Sequence, residues 1–67
     1  MITLQVNGED RTCAPDLTMI ELLEFLGLNP RLVAVEHNGE ILHRQLWGKT
    51  TIQNSDRLEI VTIVGGG

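Results

Sequence analysis

The sequence predicts an α+β fold in which a mixed sheet of four to five strands carries one main helix on one face. Residues 1–6 alternate apolar and polar side chains, residues 19–26 repeat apolar side chains at helical spacing, and residues 58–64 form a second apolar run. Alternation is the period of a half-buried strand, whereas the i, i+3, i+4, i+7 spacing is that of an amphipathic helix. A helix between a hairpin and later strands must cover one face of their sheet.

Length and composition narrow the class of protein. The 67 residues make one small domain, and a hydrophobic content of 42% is typical of a folded chain. The formal net charge of −4 argues against a nucleic-acid-binding protein and against binding to an anionic membrane surface, because both need basic groups. We identify no signal peptide and no apolar run of transmembrane length. A single cysteine excludes an internal disulfide, so we expect a cytoplasmic protein.

The helix has the clearest boundaries in the sequence. Thr18 and Glu21 have the spacing of a capping box, in which each side chain accepts a hydrogen bond from the backbone of the other residue. Gly27 suits the left-handed position after a helix, and Pro30 prevents the helix from continuing. The expected buried face consists of Met19, Leu22, Leu23 and Leu26, widened by Ile20 and Phe25.

The remaining segments predict a hairpin and three further strands. Asn7-Gly8 is typical of a tight turn, which leads from the first strand into a returning strand at 11–14. We expect an apolar strand at 32–36, a brief edge strand at 40–42, an irregular segment at 44–51 and a final strand at 58–64. A final strand that lies centrally and parallel to the first gives the ubiquitin-like β-grasp architecture. We therefore expect a β-grasp domain over residues 1–64.

Few side chains form a pattern that indicates catalysis or metal binding. Cys13 is expected to be a small buried hydrophobe, because no neighbouring motif indicates redox chemistry. His37 and His43 lack the spacing of metal ligands, so we predict no metal site, and Trp47 is expected in a satellite of the core. The acidic residues are spread along the chain and predict a solvated surface rather than a general acid/base pair. They are Glu9, Asp10, Asp16, Glu21, Glu24, Glu36, Glu40, Asp56 and Glu59.

Two apolar residues near the end of the final strand are candidates for partner docking. If Leu58 and Ile60 point toward the helix, Val61 and Ile63 project from the opposite face, because successive strand residues alternate. A β-grasp sheet has only one face covered by a helix, so these two side chains are expected to be exposed. Since they lie immediately before the end of the sequence, we interpret them as a docking patch.

The sequence ends in Gly65-Gly66-Gly67, which we expect to form a flexible C-terminal tail. Glycine adds backbone freedom and removes every side chain, so such a tail can enter a narrow active site. The carboxylate of Gly67 is ionised at neutral pH and needs activation before a nucleophile can attack it. The residues alone leave three classes open: a sulfur carrier, a ubiquitin-like modifier joined through Gly67 to lysines of other proteins, and a non-covalent binding module.

Segments along the whole chain resemble one family. Residues 33–41 read VAVEHNGEI, residues 44–47 read RQLW, residues 56–61 read DRLEIV, and the last four residues read VGGG. With the helix sequence LTMIELL at 17–23, these segments resemble the thiamine-biosynthesis sulfur carriers, the ThiS family. Many members have proline where this chain has His43, a position outside the tail. The small subunit of molybdopterin synthase is similar in fold and tail but usually longer, and it is the alternative carrier.

The resemblance implies a carrier rather than an enzyme. A partner adenylyltransferase similar to ubiquitin-activating enzymes (ThiF-type) uses ATP to adenylate the Gly67 carboxylate. A sulfur donor then replaces the adenylate, and the resulting thiocarboxylate passes its sulfur to a thiazole synthase (ThiG-type). Under this interpretation Gly67 is the attachment point, Gly65 and Gly66 are recognised by the partner, and the protein itself binds no cofactor.

Overall fold

The computed structural model describes residues 1–63, which form a five-stranded mixed sheet with one α-helix on one face. The strands are β1 (Ile2–Val6), β2 (Glu9–Cys13), β3 (Val33–His37), β4 (Glu40–Ile41) and β5 (Arg57–Thr62), and the helix is α1 (Met19–Phe25). Two 3₁₀ helices, Pro30–Leu32 and Arg44–Lys49, connect them. The spatial order is β2-β1-β5-β3-β4. This arrangement confirms the predicted β-grasp architecture.

The final strand lies at the centre of the sheet, as predicted. β5 pairs in parallel with β1 and antiparallel with β3, so both of its long edges are hydrogen-bonded to other strands. Val35 lies opposite Ile60, and Ala34 lies opposite Val61. Because side chains alternate along each strand, Val35 and Ile60 face the helix whereas Ala34 and Val61 face away from it. The sheet therefore has an inner face under α1 and an outer face without a covering helix.

The first hairpin is longer than the sequence predicted. β2 begins at Glu9 rather than at residue 11, and Glu9 lies directly opposite Val6. Asn7 and Gly8 form the turn with φ angles of 53° and 83°. Positive φ at both central residues is the geometry of a two-residue turn that lets pairing start immediately on either side. The expected gap at residues 9 and 10 was wrong for this reason.

The helix has the predicted cap but a narrower buried face. The backbone N–H of Glu21 donates to Thr18 Oγ1 at 3.3 Å, and the N–H of Thr18 donates to Glu21 Oε1 at 2.9 Å, which completes the capping box. Gly27 has the expected left-handed φ of 77°. Phe25, predicted to widen the apolar face, is 61% exposed. At about 100° per residue, it lies roughly 120° around the helix from Met19 and so misses the sheet.

A single hydrophobic core fills the space between α1 and the inner face. Its buried members are Leu4, Val6, Cys13, Met19, Leu22, Leu23, Val33, Val35, Trp47, Ile52, Leu58 and Ile60. The burial of Cys13 confirms its prediction as a small hydrophobe. Trp47 belongs to this core rather than to a satellite, and its indole N–H donates to the carbonyl of Leu42 at 2.9 Å. Most of the segment predicted as irregular at 44–51 is therefore a 3₁₀ helix, Arg44–Lys49, which contributes Trp47 to the core. None of the helices within residues 1–63 has the length and apolar character needed to cross a membrane.

Candidate functional site

The described structure reaches the base of the predicted tail. Ile63 is the last described residue, and its backbone N–H donates to the carbonyl of Leu32 at 2.6 Å. Gly65, Gly66 and Gly67, predicted to carry the reacting carboxylate and its recognition, lie outside the described residues, as does the predicted domain boundary at residue 64. The surroundings of Ile63 and the outer face of β5 are therefore the parts of the site that the structure defines.

Two turn asparagines hold β5 from opposite sides. The Asn7 side chain accepts a hydrogen bond from the Ile60 N–H at 2.7 Å and donates one to the Ile60 carbonyl at 3.0 Å. Across the strand, the Asn38 side chain accepts from the Arg57 N–H at 2.8 Å. Both asparagines adopt positive φ angles, 53° and 52°. The Asn-Gly turns therefore fix the backbone of the strand that leads to the tail, in addition to reversing the chain.

Val61 and Ile63 are exposed, as the sequence predicted. Their side chains are 60% and 44% accessible, and their alternation with buried Leu58 and Ile60 places them on the outer face. Ala34 lies opposite Val61 and lines the same shallow groove. The exposure agrees with a docking patch, while the docking role itself stays a prediction.

Ile41 completes this surface and was missed at the sequence level. It is 72% exposed, lies opposite Glu36 in the β3–β4 pair, and lines grooves shared with Val61 and with Ile63. A two-residue edge strand has too little alternation to reveal which face its side chains occupy. We call the four residues Ala34, Ile41, Val61 and Ile63 the outer-face patch.

Carboxylates border the outer-face patch. Glu36 and Glu59 lie directly opposite each other in the β3–β5 register, and both are exposed. Like charges at directly opposed positions repel each other. Farther along β5, Arg57 lies opposite Gln5 of β1, at the end of the strand remote from Ile63. The patch thus combines an apolar centre with a negatively charged edge, which is complementary to an apolar partner surface with basic groups around it.

Asp56 corrects the expectation that all the acidic residues form a solvated surface. It is only 6% exposed and accepts hydrogen bonds from the Gln53 N–H at 2.8 Å and from the Asn38 side-chain amide at 3.1 Å. His37 Nε2 lies 3.0 Å from Asp56 Oδ2, the same oxygen that accepts from Gln53, whereas Asn38 donates to Oδ1. Burial by itself raises the pKa of the Asp56 carboxyl, but these hydrogen bonds and the His37 charge outweigh burial and lower the pKa overall. A lone carboxylate in a turn gives no sequence pattern that distinguishes this role.

The other candidate residues for chemistry were Cys13, His37 and His43. Burial raises the pKa of the Cys13 thiol, which disfavours the thiolate needed for nucleophilic or redox chemistry. His37 contacts Asp56, whereas His43 is exposed at the start of the second 3₁₀ helix. Within the part of the chain that the structure describes, no three His, Cys, Asp or Glu residues are grouped so that they could hold a metal ion.

Comparisons with known proteins match the chain over almost its entire length. The ThiS family model matches residues 4–67. The sulfur carrier protein ThiS of Bacillus subtilis is 37% identical over 65 residues, which cover 96% of this chain and 98% of that protein. An uncharacterized protein, ycf40, of Porphyra purpurea is 41% identical over 66 residues, covering 98% of this chain and 93% of that protein.

One longer relative and one solved structure extend the comparison. A thiazole synthase of Paramagnetospirillum magneticum is 41% identical over 64 residues, which are 96% of this chain but only 20% of that protein. The crystal structure of the thiamine biosynthesis protein ThiS from Geobacter metallireducens superimposes with a TM-score of 0.85 at 38% identity, covering 98% of this chain and all of that one. The family match over nearly the whole sequence, the relatives and the shared fold together show that this chain belongs to the ThiS family.

Proposed function

We propose that this protein is a sulfur carrier that delivers sulfur for thiazole formation in thiamine biosynthesis. The observation that carries the proposal is the end-to-end match to a protein named as a sulfur carrier, on the same fold and through the last glycine. The protein holds the reacting atom and supplies no catalytic group, so it is a co-substrate of partner enzymes. We place it in the cytoplasm, where its single thiol stays reduced.

The proposed chemistry takes place at the carboxylate of Gly67. A carboxylate oxygen attacks the α-phosphorus of ATP, pyrophosphate leaves, and an acyl-adenylate forms. A hydrosulfide ion supplied by a sulfur donor then attacks the acyl carbon, AMP leaves with the electron pair of the broken C–O bond, and loss of the S–H proton leaves a thiocarboxylate. Adenylation is needed because the ionised carboxylate is a poor electrophile and AMP is a far better leaving group than oxide.

Two partner enzymes are required by this scheme. An adenylyltransferase of the ThiF type would bind the outer-face patch and receive the tail, with Gly65 and Gly66 in a channel too narrow for side chains. A thiazole synthase of the ThiG type would accept the sulfur. The similarity of the chain to a segment of proteins named thiazole synthase supports this second partner, because physically linked domains commonly act on one another.

Reconstituted activation tests the proposal. The full chain, ATP and a purified ThiF-type adenylyltransferase should release pyrophosphate in proportion to the amount of carrier added. Deleting Gly67, or adding one residue after it, should abolish this release and leave the melting temperature unchanged, because neither change alters a core residue within 1–63. Pyrophosphate release that persists without Gly67 would overturn the proposed attachment site.

A further inference from the structure

The Arg44 guanidinium binds two carbonyl groups within residues 30–33, the short segment that runs from the first 3₁₀ helix into the start of β3. Its Nη1 donates to the Pro30 carbonyl at 2.5 Å, and its Nη2 reaches the Val33 carbonyl at 3.4 Å. The guanidinium carbon also lies 4.8 Å from the centre of the Trp47 ring. Trp47 is buried and hydrogen-bonded, so it gives the guanidinium a fixed platform. A planar fork of donors suits simultaneous bonding to two acceptors.

The same short segment holds the end of β5. Thr62 pairs with Val33, and the Ile63 N–H donates to the carbonyl of Leu32. The two carbonyls bound by Arg44 therefore belong to residues on either side of Leu32. Arg44 and Ile63 also line the same depression at this end of the sheet. One guanidinium thus connects the second 3₁₀ helix to the segment that contains Leu32, the acceptor for the last described residue.

The anchor at Leu32 lies outside the regular ladder between β3 and β5. Leu32 is exposed and lies in a three-residue 3₁₀ helix, whereas the preceding β5 residues pair with the regular strand β3. Short 3₁₀ segments have poor hydrogen-bond geometry and gain much of their stability from tertiary contacts. The bonds from Arg44 are such contacts, and they act on the backbone rather than on a side chain.

We infer that Arg44 is a positioning residue for sulfur-carrier activation, which fixes the backbone at Ile63, the last residue before positions 64–67. This inference rests on the proposed function. Four residues span at most ~14 Å, so the direction set at Ile63 limits which points the Gly67 carboxylate can reach once the outer-face patch is bound. Correct orientation of a bound reactant lowers the entropic part of the barrier. Loss of the fixed backbone position at Ile63 should therefore reduce turnover rather than weaken docking.

Amide hydrogen exchange tests, without any partner enzyme, whether Arg44 stabilises the hydrogen bond of Ile63. In Arg44→Gln, exchange at the Ile63 amide should be about 10-fold faster than in the unmodified protein, whereas exchange at Ile60 should change less than about twofold. Arg31→Gln makes the same change at an exposed residue inside the 3₁₀ helix and should leave Ile63 unchanged. Equal acceleration at both amides, or none at Ile63, would overturn the stabilisation of the Ile63 hydrogen bond by Arg44. Full recovery of protection by Arg44→Lys would overturn the role of the forked bond to two carbonyls.

Activation kinetics with the ThiF-type adenylyltransferase test whether Arg44 affects the turnover of the carrier. Arg44→Gln should lower kcat by about 10-fold and leave KM for the carrier within about twofold, because the outer-face patch is intact. A partly unfolded carrier would instead raise the apparent KM with kcat unchanged, and that result, or unaltered kinetics, would overturn the inference. If the unmodified protein is not adenylated at all, the proposed function fails. The exchange experiment still decides whether Arg44 stabilises the hydrogen bond of Ile63.

Discussion

At the scale of single residues, Asp56 shows how one buried carboxylate can connect two turns. It receives the Gln53 N–H from its own turn and the side chains of His37 and Asn38 from the β3–β4 turn. Buried carboxylates are stable only when their oxygens are hydrogen-bonded, and both oxygens of Asp56 are. Asn38 in turn binds the backbone of Arg57. The carboxylate therefore fixes the start of β5 through its neighbours.

The lowered pKa of Asp56 predicts how stability depends on pH. A carboxyl whose folded pKa lies below its ordinary value of 3.8 stabilises the fold above that value and loses this contribution as pH falls through the folded pKa. We expect Asp56→Asn to reduce the free energy of unfolding by about 1–3 kcal/mol at neutral pH. The difference between the two proteins should shrink in acid below about pH 4. Urea denaturation at several pH values measures this difference in the free energy of unfolding. A difference that does not change with pH would contradict stabilisation of the ionised form.

A change within the tail should separate activation from stability. Gly66→Val adds a branched side chain that stiffens the backbone and widens the segment that must enter the partner. We expect adenylation to fall by at least about tenfold, and the free energy of unfolding to change by less than about 0.5 kcal/mol. Gly66→Ala, a smaller addition, should lose less activity. Unimpaired adenylation of the valine variant would argue against a narrow channel for the tail.

Residue-level properties were predictable where the local sequence determines them. The capping box formed by Thr18 and Glu21 was predicted correctly, because its geometry depends on residues three apart. Phe25 was misassigned, because apolar character alone does not fix the helix phase at the edge of a short helix. Asp56 was misassigned because its partners His37 and Asn38 lie 19 and 18 residues away and meet it only in the folded sheet.

At the scale of elements, β5 is the central strand of the sheet and leads to the candidate site. It pairs with β1 and β3 and is held by the side chains of Asn7 and Asn38 from its two edges. Its inner residues belong to the core, and its outer residues form much of the outer-face patch. The central position of β5 was predictable from element order. The two asparagine contacts were not, since Asn-Gly indicates a turn but not what its side chain will meet.

Two substitutions, one on the outer face of β5 and one at Ile63 directly after it, test the docking role of the outer-face patch. Ile63→Asp places a charge in the apolar centre and should weaken binding to the ThiF-type adenylyltransferase by about 30-fold, equivalent to about 2 kcal/mol. Glu59→Gln removes a charge from the border and should change the affinity less than about threefold, mainly through a slower, more salt-dependent association. Titration calorimetry and stopped-flow measurements at two ionic strengths distinguish these effects.

The alternative outcomes for these two variants are equally specific. The backbone bond from Ile63 to Leu32 is retained in Ile63→Asp, so lost binding with native circular dichroism reports on the side chain. Normal binding by Ile63→Asp would mean that recognition lies in the tail or on another face. A larger loss for Glu59→Gln than for Ile63→Asp would reverse the assignment of apolar centre and charged border.

At the scale of the whole molecule, one face and one end of a small domain carry the proposed function. α1 covers the inner face, while the outer face presents an apolar patch beside the end of β5. The net charge of −4, with Glu36 and Glu59 bordering the patch, favours long-range attraction to a basic partner. Fold and family were predictable because every segment of the sequence agreed with one architecture. The edge position of β4 was also predicted, but the outer-face exposure of Ile41 was not, because strand register sets which face its side chain occupies.

The most direct test of the central claim is the intact mass of the protein isolated from its own cells. A sulfur carrier should include a fraction whose mass exceeds that of the unmodified chain by the difference between one sulfur and one oxygen, with the change located at Gly67 by fragmentation. Treatment with a thiol-specific alkylating reagent should label this fraction even when Cys13 is replaced by alanine. A population joined through Gly67 to lysines of other proteins, with no sulfur-containing form, would contradict the carrier and indicate a ubiquitin-like modifier.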